Sequence, residues 1–225
     1  MLKTLLDGQF PDNLPFCLTE RPIIPTPDMD YDDIEIPGRD GTLTIENGYK
    51  NITIPCEYNI LEDYNVKALT RKIKAFFLNK NTLRFSDDTV FYKIKKIQFS
   101  DIENDIEEYG LFKVTFELDP FQYELTSAFN ITKPGIITNP GSYKSLPYLK
   151  IYGSGTLVIN NQSITIQDVA DYIELDCDIG NAYKGQLDMN EHMRGEFPFF
   201  KVGENSISWS GNITKISGHG NWRHV

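Results

Sequence analysis

No apolar run in this chain approaches the about 18–20 residues that cross a bilayer as a helix. Cysteine is scarce: Cys17, Cys56 and Cys177 stand far apart and in no CxxC pair. That excludes a disulfide framework and a zinc ribbon, and it fits folding in a reducing compartment. The three histidines, His192, His219 and His224, form no HExxH, and no GxSxG or nucleophile signature is present. Basic charge is also in short supply, with 22 Lys and Arg against 32 Asp and Glu. The deficit is concentrated at the front: residues 1–128 carry 23 acidic against 14 basic side chains, residues 129–225 carry 9 against 8. An acidic front half argues against a protein that grips a phosphate backbone. The opening "MLKTLLDGQFP" starts apolar, but Asp7 and Pro11 end the run before a signal-peptide core is complete, so synthesis in the cytoplasm is expected.

What is present is mainly β. The stretch "IPGRDGTL" (36–43) brackets Arg39 and Asp40 with Gly38 and Gly41. A phosphate-binding loop needs a helix opening directly behind it, and here strand-favouring residues follow instead. The glycines therefore read as the positive-φ positions of a hairpin loop. Beyond them, Ile52, Ile54, Cys56, Tyr58 and Ile60 keep the strand period of two. Phe112, Val114, Phe116 and Leu118 do the same, in a strand that Pro120 is expected to stop. Upstream, "RPIIPTPDMDYDDIEIPG" combines prolines with clustered carboxylates and reads as an extended edge segment or loop. Asp28, Asp30, Asp32 and Asp33 resemble the start of a calcium loop, but its glycine and closing glutamate are missing, which favours a solvated acidic loop and no metal.

One helix is expected, over 64–78. Val66, Leu69, Ile73, Phe76 and Phe77 form a single apolar stripe, Asp63 or Asn65 can cap its start and Asn79 can end it. The basic face of Lys67, Arg71, Lys72 and Lys74 is read as solvated. Near Ser127 the composition turns rich in Gly, Pro, Asn and Ser between short β runs, which places a boundary there. The reading is two domains, 1–128 and 129–225. Strands in the second are expected at 149–152, 156–159, 163–166, 172–177, 206–209 and 213–217, as an antiparallel β-sandwich. Adjacent carboxylates such as Asp87-Asp88 and Glu107-Glu108 point to opposite faces of a strand and cannot act together. No catalytic constellation emerges, so no enzymatic activity and no cofactor are expected.

The ordered set of blocks resembles the distal tail protein of long, non-contractile-tailed bacteriophages of Gram-positive hosts. In the front half the match is carried by "IPGRDGTL", the helix, "FSDDTVFYKIKKI" and "GLFKVTFELDPFQY"; in the back half by "ITNPGSYKSLPYLKIYGSGTLVIN", "DYIELDCDIGNAY", "GEFPFFKVGENSISWSGNIT" and "NWR". The resemblance implies an N-terminal β-sandwich with one helix, six copies of which close into a ring, and a C-terminal galectin-like sandwich. It implies a hub at the distal end of the virion tail, partnered by the tail tube protein, the tail-associated tip protein and receptor-binding or baseplate components. DNA would pass through the channel without specific binding, repelled by the acidity of residues 1–128. The alternative is a lectin-like module for the host cell wall. "HGNWR" has the spacing by which galectins hold a galactoside, with His219, Asn221 and Arg223 as ligands and Trp222 as a stacking platform. Galectins complete that site downstream, and only two residues follow Arg223 here, so a terminal strand is favoured and receptor binding is expected to fall to a partner.

Overall fold

The computed structural model describes residues 2–60, 66–100, 103–104 and 110–225. The chain divides into two units, Met1–Gln122 with Val225 and Tyr123–His224. Both are built from antiparallel ladders, with a single α-helix among the described residues. No helix there is long and apolar enough to cross a membrane. The expected helix caps Asp63 and Asn65 and the Glu107-Glu108 pair lie outside the described residues.

The first unit contains β1 (Thr4–Leu6), β2 (Phe16–Leu18), β3 (Met29–Glu35), β4 (Thr42–Tyr49), β5 (Ile52–Ile60), α1 (Val66–Phe77), β6 (Thr82–Phe85), β7 (Val90–Phe99), β8 (Glu103–Asn104) and most of β9 (Gly110–Glu124). Its main sheet runs β1-β6-β7-β9-β5-β2, with β8 alongside β9. The two alternating sequences lie side by side: Ile52, Ile54, Cys56 and Tyr58 face Leu118, Phe116, Val114 and Phe112 across the β5–β9 ladder, and all eight are buried. Opposed apolar pairs of this kind are the unit of sheet stabilisation.

The helix covers that floor through Ile73 and Phe77, with Leu69 and Phe76 partly buried beside them. Phe77 is fully buried, its ring centroid 5.7 Å from Tyr58, 5.8 Å from Phe16, 5.5 Å from Phe99 and 6.1 Å from Phe116. Tyr58 stacks on Phe112 at 5.1 Å and places its hydroxyl 3.0 Å from Thr4 Oγ1, so the β1 edge is drawn towards β5. Burial pushes the Cys56 thiol up to about 12, partly opposed by its hydrogen bond with Tyr58, and the residue packs as a small hydrophobe. The helix ends where Asn79 turns left-handed at φ 56°.

Two expectations are corrected here. Pro120 does not stop its strand, because β9 continues to Glu124. The β5 ladder already ends at Ile52–Leu118, so Pro120 lies beyond the pairs in which β5 would need its missing N–H. Of the two readings of the acidic stretch, the extended edge segment holds and the loop does not: Met29–Glu35 is a strand paired with Thr42–Tyr49, through a register that shifts between Asp30 and Tyr31. Gly38 (φ 80°) and Gly41 (φ 77°) lie in the connection, as the hairpin reading requires.

The second unit begins with Tyr123, earlier than the composition change suggests. Glu124 already belongs to it, donating its N–H to Trp222 O at 2.9 Å. Its strands are β10 (Ala128–Ile131), β11 (Gly135–Asn139), β12 (Tyr148–Tyr152), β13 (Gly155–Ile159), β14 (Gln162–Ile166), β15 (Tyr172–Asp176), β16 (Asn181–Lys184), β17 (Leu187–Asp188), β18 (Met193–Arg194), β19 (Gly203–Gly211), β20 (Lys215–His219) and β21 (Arg223–His224). Apart from β21, which pairs with β9, they form two sheets, β10-β20-β12-β15-β16-β17 and β11-β19-β13-β14-β18. Leu149, Ile151, Ile173 and Leu175 from the first share one core with Leu157, Ile159, Ile164 and Ile207 from the second. That is a β-sandwich.

The aromatic seating of α1 sets a quantitative expectation. Phe77→Ala should cost about 3–5 kcal/mol, the usual penalty for emptying a buried phenylalanine site. Phe76→Ala, at a half-buried position on the same helix, should cost clearly less. Urea unfolding followed by circular dichroism measures both; equal losses would show that the helix is not seated through Phe77.

Candidate interaction surfaces

The β3–β4 hairpin forms a two-stranded sheet of its own. Paired residues of an antiparallel ladder project from the same face, and alternate residues along each strand do too. Ile34 pairs with Leu43 and Asp32 with Ile45, which puts three large apolar side chains and one carboxylate on one face. Tyr31 pairs with Glu46, Asp33 with Thr44 and Glu35 with Thr42, which makes the opposite face acidic. Thr44 Oγ1 donates to Asp33 Oδ1 at 2.6 Å, fixing that carboxylate on the acidic side. The apolar face is uncovered: Ile34, Leu43 and Ile45 are 44%, 43% and 43% exposed. The calcium-like aspartates do not converge, since Asp32 and Asp33 leave opposite faces and Asp30 pairs with Lys50 at 2.8 Å. Among the described residues no group of three or more metal-ligating side chains is close enough to hold an ion.

The four residues of the galactoside-like spacing are scattered rather than gathered. His219 is the exposed end of β20, opposite Tyr148. Asn221 has a left-handed φ of 49° and donates Nδ2 to Leu146 O at 2.8 Å. Trp222 is 6% exposed, 5.4 Å from the Phe200 ring, and its indole lies over Gly220, where an added Cβ would clash with it. Arg223 is 7% exposed and donates Nε to Lys144 O at 2.7 Å. A buried indole offers a sugar no platform, and Asn221 and Arg223 hold backbone carbonyls. The segment Gly220–Trp222 also lies between β20 and β21, so the expected terminal strand is interrupted.

No protein-family model matches this chain, and no curated protein matches it. Solved structures do. The Dit protein of phage SPP1, described as a paradigm of the hub adsorption apparatus in phages infecting Gram-positive bacteria, is similar over 97% of this chain and 98% of its own, with 13% identity and a TM-score of 0.65. The fold is shared with the SPP1 Dit protein. A chain of the phage P2 baseplate in its activated conformation with calcium is similar over 97% of both chains, with 11% identity and a TM-score of 0.49.

Within this Dit-like fold the outward face of the β12–β15 ladder carries a charged and aromatic network. Glu174, opposite Lys150, accepts from Tyr148 Oη at 2.7 Å and from the Gly185 N–H at 2.9 Å, with Lys150 Nζ at 3.5 Å. Lys150 Nζ also sits 3.6 Å from the centre of the Tyr172 ring. Burial pushes the Glu174 carboxyl up, but the Tyr148 hydroxyl, the Gly185 N–H and Lys150 together outweigh it and hold the pKa below its usual value. A depressed folded pKa contributes stability above the unfolded value of about 4.5, and that stability is lost as pH falls through the folded value. The difference in melting temperature between wild type and Glu174→Gln should therefore be widest near neutral pH and close as pH drops below about 4.5. A difference that stays constant with pH would show that the carboxylate charge contributes nothing.

Proposed function

We propose that this chain is a structural hub of a phage tail tip, with no catalytic step of its own. Six copies close into a ring that joins the tail tube to the tip protein and to receptor-binding or baseplate components, at the distal end of a virion assembled in the host cytoplasm. The fold supports this reading, since it is shared over 97% of this chain with a protein described as a paradigm of the hub adsorption apparatus. The ring size comes from the family resemblance.

The observation that carries the proposal is the hairpin. A lone two-stranded sheet is marginal in water, and this one leaves Ile34, Leu43 and Ile45 without cover. Covering them with a neighbouring copy would contribute roughly 1 kcal/mol per side chain, repeated at every interface of a closed ring. The reverse face, with Asp33, Glu35 and Glu46, is suited to line a channel: like charge repels a passing polyanion and denies it the counterion-releasing contacts that retain DNA.

Light scattering on a sizing column tests this directly. Wild type is expected at roughly 155 kDa, six times the 25.8 kDa chain, and constant with concentration once closed. The double substitution Ile34→Asp, Leu43→Asp should reduce the mass to that of a single chain while circular dichroism stays unchanged. A wild-type protein that is monomeric at every concentration, or a double variant that still assembles, would overturn the proposal.

A further inference from the structure

Asn47 precedes Gly48, and no other asparagine in the chain is followed by glycine. The β3–β4 ladder gives the pair a particular setting. Asp30 is opposite Gly48 and Tyr31 opposite Glu46, so Asn47 is the extra residue of a bulge and has no partner across the ladder. Its side chain is exposed and makes no hydrogen bond among the described residues. Gly48 has a φ of 122°, and nothing lies within 4 Å of where a Cβ would stand. The Asn47 carboxamide therefore meets no obstacle on its way to the Gly48 backbone nitrogen. The sheet has only these two strands. Such a pair is marginal in water and opens locally, which lets the backbone adopt the geometry that ring closure needs.

The geometry points to Asn47 as a site of spontaneous deamidation. The Gly48 amide nitrogen, having given its proton to water or hydroxide, attacks Asn47 Cγ. The new N–Cγ bond closes a five-membered succinimide, the Cγ–Nδ2 bond breaks, and the nitrogen leaves as ammonia with the proton restored by solvent. Water then opens the ring. Cleavage of the N–Cγ bond gives aspartate, and cleavage of the bond from the nitrogen to the Asn47 main-chain carbonyl gives isoaspartate. One water is consumed and one ammonia released, with no change of oxidation state.

Two other asparagines precede small residues, and the fold protects both. Before Ala182, Asn181 Oδ1 accepts from Asn190 Nδ2 at 2.8 Å, and the Ala182 N–H is held by Asn190 Oδ1 at 2.8 Å. Before Ser206, Asn205 is fully buried. Its Oδ1 accepts from Asn160 Nδ2 and from the Lys201 N–H, both at 2.9 Å, and the Ser206 N–H is held by Asn160 Oδ1 at 3.1 Å. At each, carboxamide and attacking nitrogen are fixed to other partners. At Asn47 the product adds a carboxylate between the Asp30–Gly48 and Tyr31–Glu46 pairs, and isoaspartate also lengthens the β4 backbone by one methylene. The step is intramolecular and needs no second copy, so it stands independently of the hub reading.

The test is to incubate the full chain in heavy-oxygen water at mildly alkaline pH, then digest it with trypsin in ordinary water. Mass spectrometry of the Asp40–Lys50 peptide reads the conversion, and fragment ions place it at Asn47. Heavy oxygen in the new carboxylate shows that the ring opened before digestion. Asn47 should convert first, with isoaspartate in excess over aspartate, while Asn181 and Asn205 stay intact over the same interval. Asn47→Gln, which would have to close a larger ring, should abolish the product and leave circular dichroism unchanged. An intact Asn47, conversion of Asn181 or Asn205 at the same rate, or a product without heavy oxygen would overturn the proposal.

Discussion

A strand pair has two faces, and a chain can bury only those for which it supplies a cover. Every other feature of this molecule follows from how that constraint is met. In Tyr123–His224 each sheet covers the other, and Leu149, Ile151, Leu157 and Ile159 meet in one core. In Met1–Gln122 the cover is α1, laid with Phe77 on the rings of Tyr58 and Phe112. For β3–β4 the described residues supply only partial cover, and Ile34, Leu43 and Ile45 remain 44%, 43% and 43% exposed. These are three outcomes of one burial problem, and in the proposed ring a neighbouring copy would complete the third.

The unfinished hairpin is also where acidity is concentrated, and the two facts belong together. An uncovered apolar strand pair with free edges is a hazard, because any other edge can pair with it. Asp32 on the apolar face, with Asp33, Glu35 and Glu46 on the reverse, makes indiscriminate pairing electrostatically costly. In the proposed ring, a neighbour would supply both an apolar cover and a tolerable field. Closed symmetry provides these conditions, since each copy presents the same cover and all acidic faces can turn towards a common solvent-filled axis. Under the proposed ring, charge that appears wasteful in the single chain would gain a purpose.

Period and turn chemistry made much of the fold legible. The alternation in β5 and β9, the apolar stripe of α1 and the two glycines at 38 and 41 all mark elements that local physics determines nearly alone. The failures have physical causes too. Three aspartates and a glutamate within seven residues weigh against a strand on propensity, but propensity measures the fit to a half-buried surface, and β3 in the isolated chain lies on no such surface. Pro120 looked like a terminator because the end of the β5 ladder is a tertiary fact. The short strands β16, β17 and β18 have no period long enough to read. They exist because longer neighbours template them.

The functional surfaces were less legible than the fold, for a related reason. A motif such as His-x-Asn-x-Arg carries sugar chemistry only if the backbone turns its side chains to one solvent-facing side. Here Asn221 is left-handed, Trp222 is driven into the core against Phe200, and Asn221 and Arg223 are spent on the carbonyls of Leu146 and Lys144. The right residue types therefore serve to close a domain. A polar depression of that domain is lined instead from positions 152, 171, 212 and 214, on three loops that no spacing rule links. They are brought together by the bonds that stitch those loops, and those bonds involve mainly backbone atoms, to which the side-chain pattern is nearly blind. Which side chains share a surface in a sandwich of this kind is thus set by where its turns meet, and motif spacing along one strand is a poor guide to it.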